Sequence, residues 1–170
     1  GTISHYEIES MSFYYHEHEL QHVNRMVYDI REFHKLPEQP VVARRIPTKD
    51  GKEIELLELS HICGTVLDKN KMKNCISLLT TDGVVTVKIW KNQFAKYDKQ
   101  ISEIQPDGKK KVCERSWFSR GNLLYLQGVR RGDTFIPKAY KGSLHKVPIM
   151  KITSVEGDRI VYTDKRYDEE

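Results

Sequence analysis

The stretch Cys75-Ile-Ser-Leu-Leu-Thr80, then Thr81-Asp82-Gly83, then Val84-Val-Thr-Val-Lys-Ile-Trp90 decides the fold. Both arms are rich in β-branched and aliphatic residues, and the Asp-Gly pair between them is a strong short-range signal for a hairpin. Side chains alternate across a strand with period two, so Val85, Val87 and Ile89 share one face and Thr86, Lys88 and Trp90 share the other. The first set belongs in the interior of a small barrel and the second set on its outside.

The same grammar extends in both directions, with turn signals every ten or so positions. Upstream, a first strand runs through Leu59 to Val66 and turns at Asp68-Lys69-Asn70-Lys71. Downstream, Phe94, Tyr97 and Ile101 recur at three- and four-residue spacing within Asn92 to Ile104, which predicts a short amphipathic helix closing one end of the barrel. Gln105 to Arg120 is polar and basic around a Pro106-Asp107-Gly108 turn and Lys109-Lys110-Lys111, and reads as a loop or projecting hairpin. Leu123 to Val129 is a fourth strand, Arg131-Gly132-Asp133 a turn, and Thr134 to Tyr140 a further strand. Val147 to Val155 is expected to close the sheet, and Glu156-Gly157-Asp158 turns into a last strand, Arg159 to Thr163. Three strands, a helix and then two more strands is the order of the oligonucleotide-binding (OB) barrel, whose second and third strands form the binding face. The predicted fold is therefore mainly β, a five-stranded Greek-key OB-fold barrel with an N-terminal helical element.

That N-terminal element is read from the helix-tolerant run Ile3 to Leu36, where Ile8, Met11 and Tyr15, and again Val23, Val27 and Ile30, sit at helical spacing. Pro37 and Pro40 interrupt it, and Lys49-Asp50-Gly51-Lys52 predicts a hairpin turn between short extended pieces. The organisation expected is a helical lead-in and linker over 1–55, the barrel over 56–155, and a final strand with an acidic tail over 156–170. Asp168-Glu169-Glu170 is expected to be a loose terminus.

The 170 residues carry a net charge of +4, which permits an anionic partner without requiring one. No apolar run approaches the roughly 18 residues of a membrane span, and Gly1 to Ser10 lacks the basic start and apolar block of a secretion signal. Cys63, Cys75 and Cys113 include no C-x-x-C pair, so neither a disulfide framework nor a zinc ribbon is expected, and a reducing cytoplasm is. A start at Gly1-Thr2 in place of methionine is what an excised piece of a larger parent would show.

Two stretches resemble the bacterial and phage DNA polymerase III alpha subunits, the C-family replicative polymerases. Glu9-Ser-Met-Ser-Phe-Tyr-Tyr-His-Glu-His-Glu-Leu20 is similar to the string E-x-x-L-G-F-Y-x-S-G-H-P-L that precedes that family's OB domain. Phe13, Tyr14, His18 and Leu20 match, whereas Ser12 replaces a glycine and Glu17 and Glu19 replace the usual glycine and proline. Ile62-Cys-Gly-Thr-Val66, Ile76 to Val84, Val85 to Trp90 and Leu124-Tyr-Leu-Gln-Gly-Val129 resemble the family's barrel strands in order and spacing. The resemblance implies a C-terminal region lying after the palm, fingers and clamp-binding parts of a DNA-directed DNA polymerase. Its implied partners are single-stranded DNA, the other polymerase domains and replisome proteins. No acidic set suited to the two metal ions of a palm is visible, so this piece is not expected to polymerise.

Single strands are held by cations along the backbone and aromatic faces for the bases. Lys88 and Trp90 point the same way on the third strand, although Trp90 at a strand end would equally cap the core under the Phe94 helix. Lys69, Lys71 and Lys73 lie in the loop between the first two strands, where phosphate contacts or an ordinary solvated turn both fit. Arg115, Trp117, Phe118 and Arg120 form the densest basic-aromatic cluster, in a segment read as too polar for a core. It suits base stacking or docking on the rest of a polymerase. Arg130, Arg131, Lys138, Tyr140 and Lys141 flank the position of a second binding loop.

His16, His18 and His22, with Glu17 or Glu19, offer a helical spacing for metal but no complete ligand set. Cys63 with His61, and Cys113, are the only nucleophile candidates, and spacing alone shows no activated thiol. No phosphate-loop or dinucleotide fingerprint occurs, so no cofactor is expected. The rival functions are a protein-interaction module bracing a polymerase and an unrelated RNA-binding OB domain.

Overall fold

The computed structural model describes Leu20 and residues 23–169. The lead-in contributes one helical turn, α1 (Arg25–Tyr28), and a 3-10 turn (Phe33–Lys35). A hairpin follows, β1 (Val42–Pro47) and β2 (Glu53–Leu57), turning where Asp50-Gly51 was expected to turn. Then come β3 (Ser60–Asn70), β4 (Cys75–Thr80), β5 (Gly83–Lys88), α2 (Lys91–Asp98), and a second hairpin of β6 (Ile101–Ile104) and β7 (Lys110–Glu114). The last four strands are β8 (Leu123–Arg131), β9 (Thr134–Pro137), β10 (Ile149–Glu156) and β11 (Arg159–Thr163).

Five of these strands close on themselves. β3 pairs antiparallel with β4, β4 with β5, β8 with β3 and β8 with β9, and the ring is completed by a parallel pairing of β5 with β9 through Thr86–Thr134 and Val87–Phe135. This is the OB order, with α2 between its third and fourth strands. The expected role of Val147 to Val155 is corrected: β9 closes the barrel, and β10 with β11 extends the sheet outside it. The physical reason lies in β8, whose first half pairs β10 and whose second half pairs β9. Where the two partners diverge, Gln127 is fully buried and its side-chain amide donates to the carbonyls of Lys138 and His145 and accepts from the His145 N–H. Backbone groups that lose their strand partners at the fork are satisfied there. β9 ends at Pro137 and not at Tyr140.

The seam also requires glycine. A Cβ on Gly128 would sit 2.0 Å from the Ile136 carbonyl oxygen, and one on Gly64 would sit 2.5 Å from that of Leu79, closer than two backbones can approach with a side chain between them.

Ile62, Val66, Ile76, Leu78, Val85, Val87, Leu124, Leu126 and Phe135 fill the barrel. Phe94 and Tyr97 of α2 cover the end where β5 leaves. Phe33 and Leu36 of the lead-in belong to the same core, near the β4–β5 turn, where Asp82 accepts hydrogen bonds from the His34 backbone N–H and pairs with its ring. Burial alone would raise the Asp82 pKa, but the hydrogen bonds from Thr80 and His34 more than reverse this, leaving it below the usual value. A second apolar cluster, including Val23, Ile30, Cys63, Tyr125, Met150 and Ile160, joins the lead-in to the β10–β11 hairpin.

Three further expectations are corrected. Val27 is 67% exposed and shares no buried face with Val23 and Ile30, because α1 is a single turn, opened by the Asn24 cap and ended by left-handed Asp29. The helix predicted over Asn92 to Ile104 stops at Asp98, and Ile101, though buried, is in β6. The acidic end is tied down through Glu169: Asp168 pairs with Lys99 and Glu169 with Lys96. Ile8, Met11 and Tyr15 lie outside the described residues.

Candidate nucleic-acid interface

The alternation in β5 places Val84, Thr86 and Lys88 on the outside while Val85 and Val87 are buried. The chain leaves the strand through buried Ile89 and turns into α2 at Trp90, which occupies the N-cap position and is 67% exposed. Of the two sequence readings of Trp90, the structure places it on the surface and not over the core. At this end of β5 the β3–β4 loop is held close, because Lys88 Nζ donates to the Lys73 carbonyl at 2.6 Å. Asn70 shapes that loop by accepting from the Met72 and Lys73 N–H groups, an Asx turn, and Asn74 takes a left-handed φ of 54°. The loop presents Lys71, Lys73 and a 95% exposed Met72. At the opposite end, the parallel β5–β9 register brings the β8–β9 turn and exposed Arg131 beside the start of β5. Lys73, Lys88, Trp90 and Arg131 thus border one outward surface, with Val84 and Met72 as exposed apolar positions beside them.

The remaining expected residues go elsewhere. Trp117 and Phe118 are corrected: they are 0% and 1% exposed, inside the core and not on the surface. Trp117 stacks on Tyr97 at 5.1 Å between centroids, and Phe118 packs against Phe94 at 5.0 Å with the rings tilted by 39°. Burying aromatics of this size removes roughly 150–250 Å² each from water, on the order of 4–6 kcal/mol, enough to draw a short segment inward despite its charged neighbours. Arg115 and Arg120 remain exposed on either side.

Arg130 is also corrected. Its guanidinium donates to the carbonyls of Phe33, Leu36 and Gly132 and lies 4.6 Å from the Phe33 ring, so it fastens the lead-in to the barrel. Tyr140 accepts a hydrogen bond from the Leu57 N–H, and Lys138 Nζ lies 5.9 Å from its ring. Tyr140 lines a cavity of about 400 Å³ beside the β1–β2 hairpin, apart from the β5 surface. Lys69 is engaged by Asp98 at 2.7 Å. Lys141 is exposed in the loop after β9.

Arg166 was missed altogether. It is 1% exposed, donates to the carbonyls of Lys96, Tyr97, Lys99 and Arg115, pairs with Glu114 at 2.7 Å and lies 5.6 Å from the Trp117 ring. Three of these carbonyls end α2, so one cation satisfies helix-terminal acceptors and faces the negative end of the helix dipole. No local pattern marks it, since it follows the last strand in a polar, acidic tail.

The nucleophile candidates show no activation. Cys63 is buried, and burial pushes its thiol up to about 12. Both His61 ring nitrogens are occupied, Nδ1 by Asp29 and Nε2 by Gln127, each at 3.0 Å. Cys113 donates to Glu103, which raises its pKa, whereas nucleophilic cysteines are lowered. His16, Glu17, His18, Glu19 and His22 lie outside the described residues, among which no cluster of three or more His, Cys, Asp or Glu is suited to a metal. No helix among the described residues is long and apolar enough to cross a membrane.

The closed five-strand ring with its intervening helix defines an OB-type barrel. Over 158 residues, 93% of the chain, it is 46% identical to the probable DNA polymerase YorL of Bacillus subtilis (strain 168), and it matches the DNA-directed DNA polymerase of Bacillus phage SPbeta to the same extent. The chain spans 12% of the length of each of these relatives. It is thus related in sequence to a segment of DNA polymerases. No protein-family model and no solved structure matches it.

Proposed function

We propose that this chain is a single-stranded DNA-binding OB domain of a replicative DNA-directed DNA polymerase of the polymerase III alpha type, engaging the template during replication. The observation that carries the reading is Trp90, exposed at the end of β5 beside Lys88 and the lysines of the β3–β4 loop. A base stacks on the indole while Lys73, Lys88 and Arg131 neutralise phosphates. Neither interaction reads base identity, so binding tolerates any sequence and weakens with salt. The polymerase relatives support DNA as the strand. Polymerisation itself, and contacts with replisome proteins, belong in this reading to the rest of the parent.

Fluorescence anisotropy of the 170-residue chain with a labelled oligo-dT over a range of salt tests the proposal. The expected result is saturable binding whose log affinity falls linearly with log salt, and which Trp90→Ala weakens. Binding no stronger than that of an unrelated protein of equal charge would overturn it. Tighter binding of a folded RNA than of oligo-dT would instead favour an RNA-binding barrel.

A further inference from the structure

Behind the β3–β4 loop, on the side away from β5, lies a cleft of about 530 Å³ between that loop, the C-terminal end of α2 and the residues after β7. Lys69, Lys71, Lys99 and Arg115 line it around a single carboxylate, Asp98, with Ser116 beside it. Lys69 Nζ and Ser116 Oγ each donate to Asp98 Oδ1 at 2.7 Å, and Lys71 Nζ stands 3.6 Å from Oδ2. Lys99 is shared with Asp168 at 3.0 Å, and no partner holds the Arg115 guanidinium among the described residues. The cleft therefore carries more positive than negative charge, and two of its cations are loosely held or free.

Two features make it suited to an anion. A helix C-terminus ordinarily repels negative charge through its unpaired carbonyls. Here Arg166 caps those of Lys96, Tyr97 and Lys99, so the repulsion is cancelled from inside the protein. The cleft is also continuous with the β5 surface: Lys73 and Lys88 border one side of the β3–β4 loop, and Lys69 and Lys71 line the other. A strand crossing Trp90 has this cleft as its next basic surface beyond the loop.

We propose that the cleft seats backbone phosphodiesters of that same strand, and that Asp98 is a resident counter-ion which the strand displaces. On binding, the ammonium groups of Lys69 and Lys71 pass from the carboxylate to a phosphodiester oxygen, and Arg115 adds a forked pair of N–H donors. Asp98 keeps its hydrogen bond from Ser116. Because the carboxylate stays inside the cleft, it opposes the phosphate, and Asp98 acts as a brake on affinity. Burial alone would raise the Asp98 pKa, yet the hydrogen bonds from Lys69 and Ser116 and the lysine charges hold it below the usual carboxylate range, so the brake is charged at neutral pH.

The inference rests on the strand-binding function proposed above, and anisotropy with labelled oligo-dT separates the two. Asp98→Asn removes the charge and keeps an oxygen for Ser116. It is expected to tighten binding about three- to tenfold at low salt, the effect of deleting one like charge ~6 Å from a phosphate in a solvated cleft. Lys71→Ala with Arg115→Ala, both at exposed positions, is expected to make the salt slope shallower by about 1.4, roughly 0.7 for each phosphate lost. Thermal melts check that each variant is folded. Should Asp98→Asn prove unstable, the Lys71/Arg115 variant alone decides. Unchanged affinity and slope in these variants, with Trp90→Ala still weakened, would overturn the cleft and leave the β5 surface standing. Failure of the unmutated chain to bind oligo-dT above the equal-charge control would overturn both.

Discussion

Trp90 and Trp117 are the two tryptophans of the chain, and each stands among basic residues, with Lys88 and Lys91 around the first and Arg115 and Arg120 around the second. The first is 67% exposed and the second is fully buried. The difference comes from what arrives from elsewhere in the chain. Trp90 sits where an exposed strand face runs into a helix cap, and the core beneath is already filled by Ile89 and Phe94. Trp117 stacks on Tyr97, has the Arg166 guanidinium 5.6 Å from its ring centroid and joins the barrel core, so a residue flanked by charges in sequence is buried in space. An aromatic residue among charges is thus no guide to a binding surface until its distant partners are known.

The sharpest way to break this contrast is to remove the partners of Trp117. Arg166→Met should lower stability by about 3–5 kcal/mol, because the Glu114 carboxylate and several carbonyls are left without their cation. Trp117→Ala should cost a similar ~3–5 kcal/mol through the cavity it leaves. Urea denaturation measures both, and a change under 1 kcal/mol in either would contradict the packing described. In the opposite sense, Trp90→Ala should shift stability by no more than about 0.5 kcal/mol. The same variant should weaken oligo-dT binding by about 1–3 kcal/mol in anisotropy titrations, the worth of one stacked base.

The smallest effect expected is on acid stability. Asp82, Asp98 and Glu114 all have folded-state pKa values below their ordinary values of 3.8, 3.8 and 4.5. For Asp98 and Glu114, as for Asp82, burial acts to raise the value, and it is outweighed, by Lys69 and Ser116 in the first and by Arg166 in the second. The stability they contribute is complete above their unfolded-state values and is lost as pH falls through the lowered folded ones. Melting temperature should decline gently as pH falls from 7, because burial holds the His145 pKa below its ordinary value of 6.5 and the unfolded chain takes up that proton first, and it should fall more steeply below about pH 5 as the carboxylates protonate. The acid fall should be shallower in Asp98→Asn, and an equally steep fall would show that Asp98 contributes nothing.

Much of the barrel was legible because it rests on local rules. Alternation and Asp-Gly located β4 to the residue, and Glu156-Gly157-Asp158 marked the β10–β11 turn. The inward set Val85, Val87 and Ile89 and the outward pair Thr86 and Lys88 fell on their expected sides, whereas Trp90, for which strand parity and core capping gave opposite expectations, is exposed. Closure was not legible, since the parallel β5–β9 pairing and the fork at Gln127 join residues far apart in sequence by backbone bonds that no side-chain pattern records. The same applies to Arg130, whose acceptors are carbonyls of the lead-in. Of the candidate surface, the exposed placement of Lys73 and Lys88 was legible from loop position and strand parity, and that of Trp90 only as one of two alternatives. Arg166 and the placement of Asp98 were not, because each is defined by groups that meet only after folding.

Arg166 also has a consequence for the order in which the molecule is made. Synthesis proceeds from the N-terminal end, so all five barrel strands and α2 emerge before this residue does. Until it arrives, the carbonyls of Lys96 and Lys99 lack their guanidinium donor, that of Tyr97 has the Trp117 backbone N–H without the cation, and Trp117 has no cation near its ring. The Trp90 surface and the β3–β4 loop depend on nothing downstream of β9 for their backbone bonds. A nascent chain halted after β11 would therefore carry a formed β5 surface with an unfinished cleft behind it. The two halves of the basic surface are completed at different moments, and the final residues of the described chain time the second.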